Sequence, residues 1–204
     1  MAGVISRRGL LMTMAGVAGA AAMGTFVPFV SSAWGFQWPE QPANVNGSSA
    51  RIAPAGEPGE PLVISGKVYE RDGRTPAAAV VIYAYHTDAK GLYRPDHYTA
   101  DWSTRRPRLE ATVRTGKDGA YEFTTIRPAP YPQRNNPAHV HFVLWWPDRH
   151  RQGDILWFDG DPLLTPQMYA RNAHAGTFSY IQKAARSGNT QRVGLDFRRH
   201  DQED

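Results

Sequence analysis

His139 and His141 stand two residues apart in a run that alternates His139, His141, Val143 and Trp145 with Val140, Phe142, Leu144 and Trp146. Side chains two apart on a strand project from the same face. The alternation predicts a strand over 138–146 with both faces buried, and both imidazoles could reach one ion. Taken alone, the pair also reads as two hydrogen-bonded histidines. Pro128-Ala129-Pro130-Tyr131-Pro132 runs toward this strand, and prolines on both sides of Tyr131 fix the backbone of a loop that can aim a phenol. A second tyrosine, Tyr93, follows the turn Asp88-Ala89-Lys90-Gly91 at the end of an earlier strand. Either tyrosine alone reads as core or rim packing with its hydroxyl satisfied.

The chain has no cysteine, which excludes disulfides, thiolate metal sites, iron–sulfur clusters and a thiol nucleophile. Any metal must be held by nitrogen and oxygen. The formal charge is +4, and Arg7 and Arg8 near the N-terminus account for two of those four charges. The remaining basic residues are interspersed with acidic ones, so no nucleic-acid partner is expected. With 204 residues, 41% of them hydrophobic, the chain has enough apolar material for one domain and an appendage.

Ser6-Arg7-Arg8-Gly9-Leu10-Leu11, an apolar Ala/Gly-rich stretch over 12–30 and Ser31-Ser32-Ala33 read as a twin-arginine export signal over 1–33, cleaved after Ala33. The run over 9–30 is also long enough for a membrane anchor, but its Ala/Gly content and Pro28 favour a removable leader. The expectation is a periplasmic or secreted protein with no stable membrane insertion. Residues 34–61 are rich in Pro, Gly, Asn and Ser without apolar periodicity and read as an arm or linker. Trp34, Phe36 and Trp38 alternate there and could pack on the domain or on a partner subunit in a homo-oligomer.

Residues 62–204 read as an all-β domain, a two-sheet antiparallel β-sandwich with long loops and at most one or two short helices. Strands are expected over 62–69, 79–85, 138–146, 154–158 and 192–199, with a hairpin joining 112–115 to 120–126 through Lys117-Asp118-Gly119. A short helix is expected over 178–185. His86, His97, His150, His174 and His200 lack a partner spacing and read as surface or capping residues. Asp159-Gly160-Asp161-Pro162 reads as a structural bend. Arg105-Arg106-Pro107-Arg108 reads as a solvated loop, or as a patch attracting an anionic substrate.

Six ordered segments carry a family resemblance: Gly59-Glu60-Pro61-Leu62-Val63-Ile64-Ser65-Gly66, Gly91-Leu92-Tyr93-Arg94, Asp118-Gly119-Ala120-Tyr121-Glu122-Phe123-Thr124-Thr125-Ile126, Pro130-Tyr131-Pro132, Pro137-Ala138-His139-Val140-His141-Phe142 and Phe158-Asp159-Gly160-Asp161-Pro162-Leu163. With these the sequence resembles the intradiol ring-cleavage dioxygenases, in particular the catalytic chain of the protocatechuate enzymes. The resemblance implies a mononuclear Fe(III) held by Tyr93, Tyr131, His139 and His141. It further implies a small aromatic diol and O2 as reactants, Tyr131 as a proton acceptor for the diol, and a muconate-type diacid as product. A hard trivalent cation suits phenolate and imidazole ligands, and its charge lowers the phenol pKa from about 10 so that both tyrosines bind ionised.

Two positions depart from the pattern. The family arginine three residues before the first histidine is Asn136 here, and Arg134, matching another family arginine, is the candidate to supply its charge. A family glutamine on the substrate side of the iron is Ile155 here. Two other readings accompany the enzyme. One is a non-catalytic transthyretin-like β-sandwich binding module, suggested by Glu70-Arg71-Asp72-Gly73 and Gly116-Lys117-Asp118-Gly119. The other is the same fold holding a different metal.

Overall fold

The computed structural model describes residues 39–95, 106–133 and 136–200. The leader, Trp34, Phe36, Trp38, His97, Arg105 and Arg134 lie outside the described residues. In the first sheet, β1 (Ser49–Arg51), β5 (Ala120–Ile126), β2 (Pro61–Tyr69), β10 (Thr190–Gly194) and β9 (Ala185–Ser187) lie side by side, and β11 (Phe197–Arg198) also pairs with β2. In the second, the order is β4 (Leu109–Arg114), β3 (Val81–His86), β6 (His139–Trp145), β7 (Arg151–Phe158) and β8 (Ile181–Gln182). Among the described residues no helix is long and apolar enough to cross a membrane.

The two sheets close on one apolar core, in which Leu62, Ile64, Phe123 and Phe197 meet Ile82, Phe142, Leu144 and Leu156. The outer face of the second sheet is buried as well: Val81, Tyr83, Tyr85, Val143 and Trp145 form a separate cluster with Val45 and Tyr93. β3 and β6 are therefore buried at every position, and apart from His86, His139 and His141 their residues are aliphatic or aromatic. The same alternation gives β6 two jobs, with Val140, Phe142 and Leu144 in the core and His139 and His141 on the other side.

The sandwich expected from the sequence is present, and its principal pairings, β2 with β5, β3 with β4 and β6, and β6 with β7, are antiparallel. Four further pairings are parallel: β1 with β5, β10 and β11 with β2, and β8 with β7. The stretch read as an arm contributes β1 and buries Val45 and Ile52. A three-residue strand is too short to leave a period in the sequence.

The hairpin expected over 112–126 does not form, because β4 and β5 belong to different sheets. The Lys117-Asp118-Gly119 turn does reverse the chain, but side-chain and backbone bonds on either side select other partners. Thr115 accepts from the Val80 N–H through Oγ1 and donates to the Ala77 carbonyl, holding the end of β4 to β3. The Val68 N–H donates to the Gly119 carbonyl and starts β5 on β2.

The helix also falls elsewhere. Residues 178–185 contain β8 and part of β9, while α1 is Pro166–Asn172, continued by a 3-10 segment at Ala173–Phe178. Thr165 caps α1 by accepting from the Met168 N–H, with Pro166 in the first turn, a start signal stronger than the apolar content of 178–185.

His86 is not a surface residue. It is fully buried on the core side of β3. Its Nδ1 donates to the Thr87 carbonyl, so Nε2 accepts from the Thr125 hydroxyl on the opposite sheet, each at 2.6 Å. Burial pulls this imidazole down to about 4, against its ordinary 6.5. The unfolded chain takes up the proton first as pH falls. His86 therefore contributes its full stability above pH 6.5 and loses it, by up to about 3 kcal/mol, as pH drops toward about 4. Denaturant melts at pH 7 and pH 5 should show His86→Gln less stable at pH 7 by roughly 1–3 kcal/mol, with a smaller loss between the two pH values than the parent. An unchanged loss would mean that another group titrates.

Candidate metal centre

The entry to β6 is anchored before the histidines begin. Asp161 accepts from the Ala138 N–H at 3.0 Å and from the Leu163 N–H at 2.9 Å, so the Asp159–Pro162 stretch is the bend expected from its composition. His139 Nδ1 donates to the Pro137 carbonyl at 2.6 Å, which fixes the ring and leaves Nε2 as a lone-pair donor. His141 lies between two neighbours set by strand register, Tyr85 on β3 and Ile155 on β7. The Tyr85 ring stacks on it with centroids 4.7 Å apart and planes 19° from parallel.

The tyrosines arrive on two loops that are fastened to each other. Asp88 folds the first by accepting from the Lys90 and Leu92 N–H groups. Its carbonyl accepts from Ala129 N–H in the second loop, and Thr87 Oγ1 donates to the Ala129 carbonyl. Gly91, at φ +81°, sits where any β-carbon would come within 2.0 Å of the Pro130 carbonyl oxygen. Only glycine permits that approach, which places Tyr131 against Tyr93. The far end of the first loop is pinned through Arg108, whose N–H donates to the Tyr93 carbonyl and whose guanidinium forms a two-pronged pair with Glu57 at 2.6 and 2.7 Å.

The four polar atoms converge. Tyr93 Oη lies 2.9 Å from Tyr131 Oη, Tyr131 Oη lies 3.1 Å from His139 Nε2, and His139 Nε2 lies 3.0 Å from His141 Nε2. Two nitrogens each about 2.1 Å from one cation, at right angles, would be about 3.0 Å apart, so the spacing fits a shared first-row metal ion. Tyr93, His139 and His141 are only 3%, 6% and 4% exposed, whereas Tyr131 is half-buried. Burial raises both phenols above their ordinary range and lowers both imidazoles. With no cation present all four groups are neutral. A cation reverses the phenol preference because it stabilises the phenolate.

All four sequence-predicted ligands therefore meet. Asn136 is exposed, and Ile155 sits directly across from His141 on the site face of β7. Of the arginine cluster, Arg106 pairs with Glu110 at 2.8 Å and Arg108 with Glu57. Nothing in the sequence alone ties Tyr85, Glu57 or the Asp88 side chain to the site. The first is an ordinary aromatic in an apolar strand, and the other two act through contacts distant in sequence or through a common turn.

The family model described as Dioxygenase (Dioxygenase_C) matches residues 36–198. The chain belongs to the intradiol dioxygenase family. Within that family it is 34% identical over 120 residues to catechol 1,2-dioxygenase 1 of Acinetobacter lwoffii, covering 51% of this chain and 38% of that protein. It is 31% identical over 159 residues to the protocatechuate 3,4-dioxygenase beta chain of Burkholderia cepacia, covering 69% of this chain and 60% of that one. The chain thus spans less than two thirds of these relatives. The intradiol fold is shared with the dioxygenase domain of a dioxygenase and carbohydrate-binding protein fusion from Streptomyces sp. SirexAA-E, at a TM-score of 0.56 and 23% identity over 79% of this chain and 95% of that one.

Gly91→Ala tests how the four-donor cluster is assembled. The new methyl group should force the two loops apart and strain the backbone by roughly 1–3 kcal/mol. Metal retention after dialysis should fall at least tenfold while the far-ultraviolet circular dichroism of the sandwich is kept. Full retention would show that loop contact does not set the site.

Proposed function

We propose that the chain is an exported ferric intradiol dioxygenase that uses O2 to cleave a catechol between its two hydroxyl-bearing carbons. The observation that carries this reading is the convergence of two phenols and two imidazoles at spacings of about 3 Å within a chain of this family. Tyr93, Tyr131, His139 and His141 would hold the iron. Bound there, Fe(III) supplies a Lewis acid for the diol oxygens and makes the ring reactive toward O2. Both oxygen atoms end in the product, one ring carbon–carbon bond breaks and no external reductant is consumed. That stoichiometry suits work outside the cytoplasm, the destination indicated by the Arg7-Arg8 leader.

The protein side of the reaction falls to a few groups. Tyr131, more open than Tyr93, would be ionised with iron in the site, and its phenolate Oη would then accept a proton from the entering diol. Tyr93 and His141, held by packing, and His139, held by the Pro137 carbonyl, keep their places. Arg134 offers the charge that Asn136 cannot. Arg134→Ala should lower kcat/KM about tenfold or more if it stabilises charge developing on the substrate.

Iron binding must displace a proton from each phenol. Since burial raises both phenols, apparent iron affinity should rise with pH by up to about 100-fold per unit below their range. Competition with a chelator at several pH values measures the slope. Tyr93→Phe and His139→Ala, assayed for iron by mass spectrometry, should retain less than about a tenth of the parent content. Full iron in either variant would contradict the ligand assignment.

A further inference from the structure

The tyrosines do not stop at the four donors. Tyr131 and Tyr93 have ring centroids 5.9 Å apart, Tyr93 and Tyr85 5.8 Å, and Tyr85 and Tyr83 5.6 Å. The series runs from the donors along the outer face of β3, within the cluster that also holds Val81, Val143 and Trp145. Tyr83 and Tyr85 are each only 2% exposed. Phenylalanine would fill such space without a hydroxyl that has to be satisfied. At the far end of the series that hydroxyl meets a base, because Tyr83 donates to a Glu110 carboxylate oxygen. Register sets Glu110 on the edge strand β4, opposite Tyr85 and diagonal to Tyr83. The other Glu110 oxygen pairs with Arg106 at 2.8 Å, and the Glu110 side chain is 23% exposed, so the buried rings end on a group in touch with water.

The ring contacts offer a path for an electron, and the Tyr83–Glu110 bond offers an exit for a proton. From this pairing we infer that Tyr83 and Glu110 form a redox site, at which one-electron oxidation of the tyrosine cluster comes to rest away from the four donors. A buried phenol resists becoming a radical cation, because the positive charge lacks hydration. It is oxidised most readily where its proton can leave with the electron. Tyr93 faces another phenol, Tyr131, at 2.9 Å, a far weaker base than a carboxylate. The competing base is His139 Nε2, 3.1 Å from Tyr131. A proton there creates a buried charge, whereas a proton on Glu110 removes one. In the step, the Tyr83 O–H bond breaks and an O–H bond forms on Glu110. One electron passes to a one-electron oxidant, which is reduced, and Tyr83 is left as a neutral phenoxyl radical. Oxidation that arrives at Tyr93 or Tyr131 moves outward as electrons pass inward from Tyr83 through Tyr85. A soluble one-electron reductant such as a phenol, with the proton returned from Glu110, restores the pair. None of this depends on the ferric reading.

The test uses the full chain without metal, mixed with hexachloroiridate(IV) as one-electron oxidant and frozen at intervals for electron paramagnetic resonance. The parent should give a neutral tyrosyl radical. Tyr83→Phe, which keeps the ring and its packing, should lose most of that signal, and Tyr169→Phe, at an exposed tyrosine on α1, should keep it. Glu110→Gln retains a hydrogen-bond acceptor but cannot take the proton, so its signal should form about 100-fold more slowly. Peptide mass spectrometry after oxidation should find several times more oxidised Tyr93 and Tyr131 in Tyr83→Phe than in the parent. The inference would be overturned by a parent without a tyrosyl signal, or by a signal that Tyr83→Phe keeps in full or that Tyr169→Phe or Tyr131→Phe abolishes. A Glu110→Gln signal that forms at the parent's rate, or equal oxidation of Tyr93 and Tyr131 with and without the Tyr83 hydroxyl, would overturn it as well.

Discussion

Two phenols and two imidazoles crowd together with each polar atom about 3 Å from the next, in a space from which water is largely excluded. Buried groups of this kind resist charge, and each phenol holds its proton more tightly than it would in water. The arrangement makes chemical sense around a cation, which replaces the lost hydration and draws both phenols into the ionised state. Strand pairing, loop fastening and the double burial of the second sheet can all be read as means of meeting that one demand.

The strand that carries the histidines shows how the fold meets it. Alternate side chains of β6 enter the core and hold the strand in place, so the imidazoles on the other face inherit its rigidity. Tyr85 stacks on one of them from β3, and the Pro137 carbonyl fixes the other. The tyrosines sit on loops, which a sheet alone does not position. Those loops are tied by Asp88, Thr87 and the close approach at Gly91, and pinned from outside by Arg108 and Glu57. Side chains on loops locked onto a strand can be exact in position even where, as at Tyr131, one of them is less buried than its neighbours.

Much of this was legible in the residues. The alternation around His139 and His141 marks a buried strand with both imidazoles on one face, and the prolines around Tyr131 mark a stiff loop. The meeting of Tyr93 and Tyr131 was visible through the order of motifs, since nothing local in either loop specifies the other as a neighbour. Partner choice was less legible. The turn at Lys117-Asp118-Gly119 looks the same whether it joins neighbours or crosses between sheets, and buried bonds from Thr115 and Val68 decide the matter. His86 looked isolated because its partner, Thr125, lies on the other sheet. The helix was misplaced because a Thr-Pro start outweighs a short apolar stretch.

The visible absorption spectrum of the purified protein, recorded beside its iron content, tests the central claim most directly. Two tyrosinates bound to one ferric ion should give a broad charge-transfer band with about one iron per chain, and the band should shift when a catechol is added under nitrogen. A protein that stays colourless after reconstitution with ferric or ferrous iron would show that the four converging side chains do not form a ferric centre.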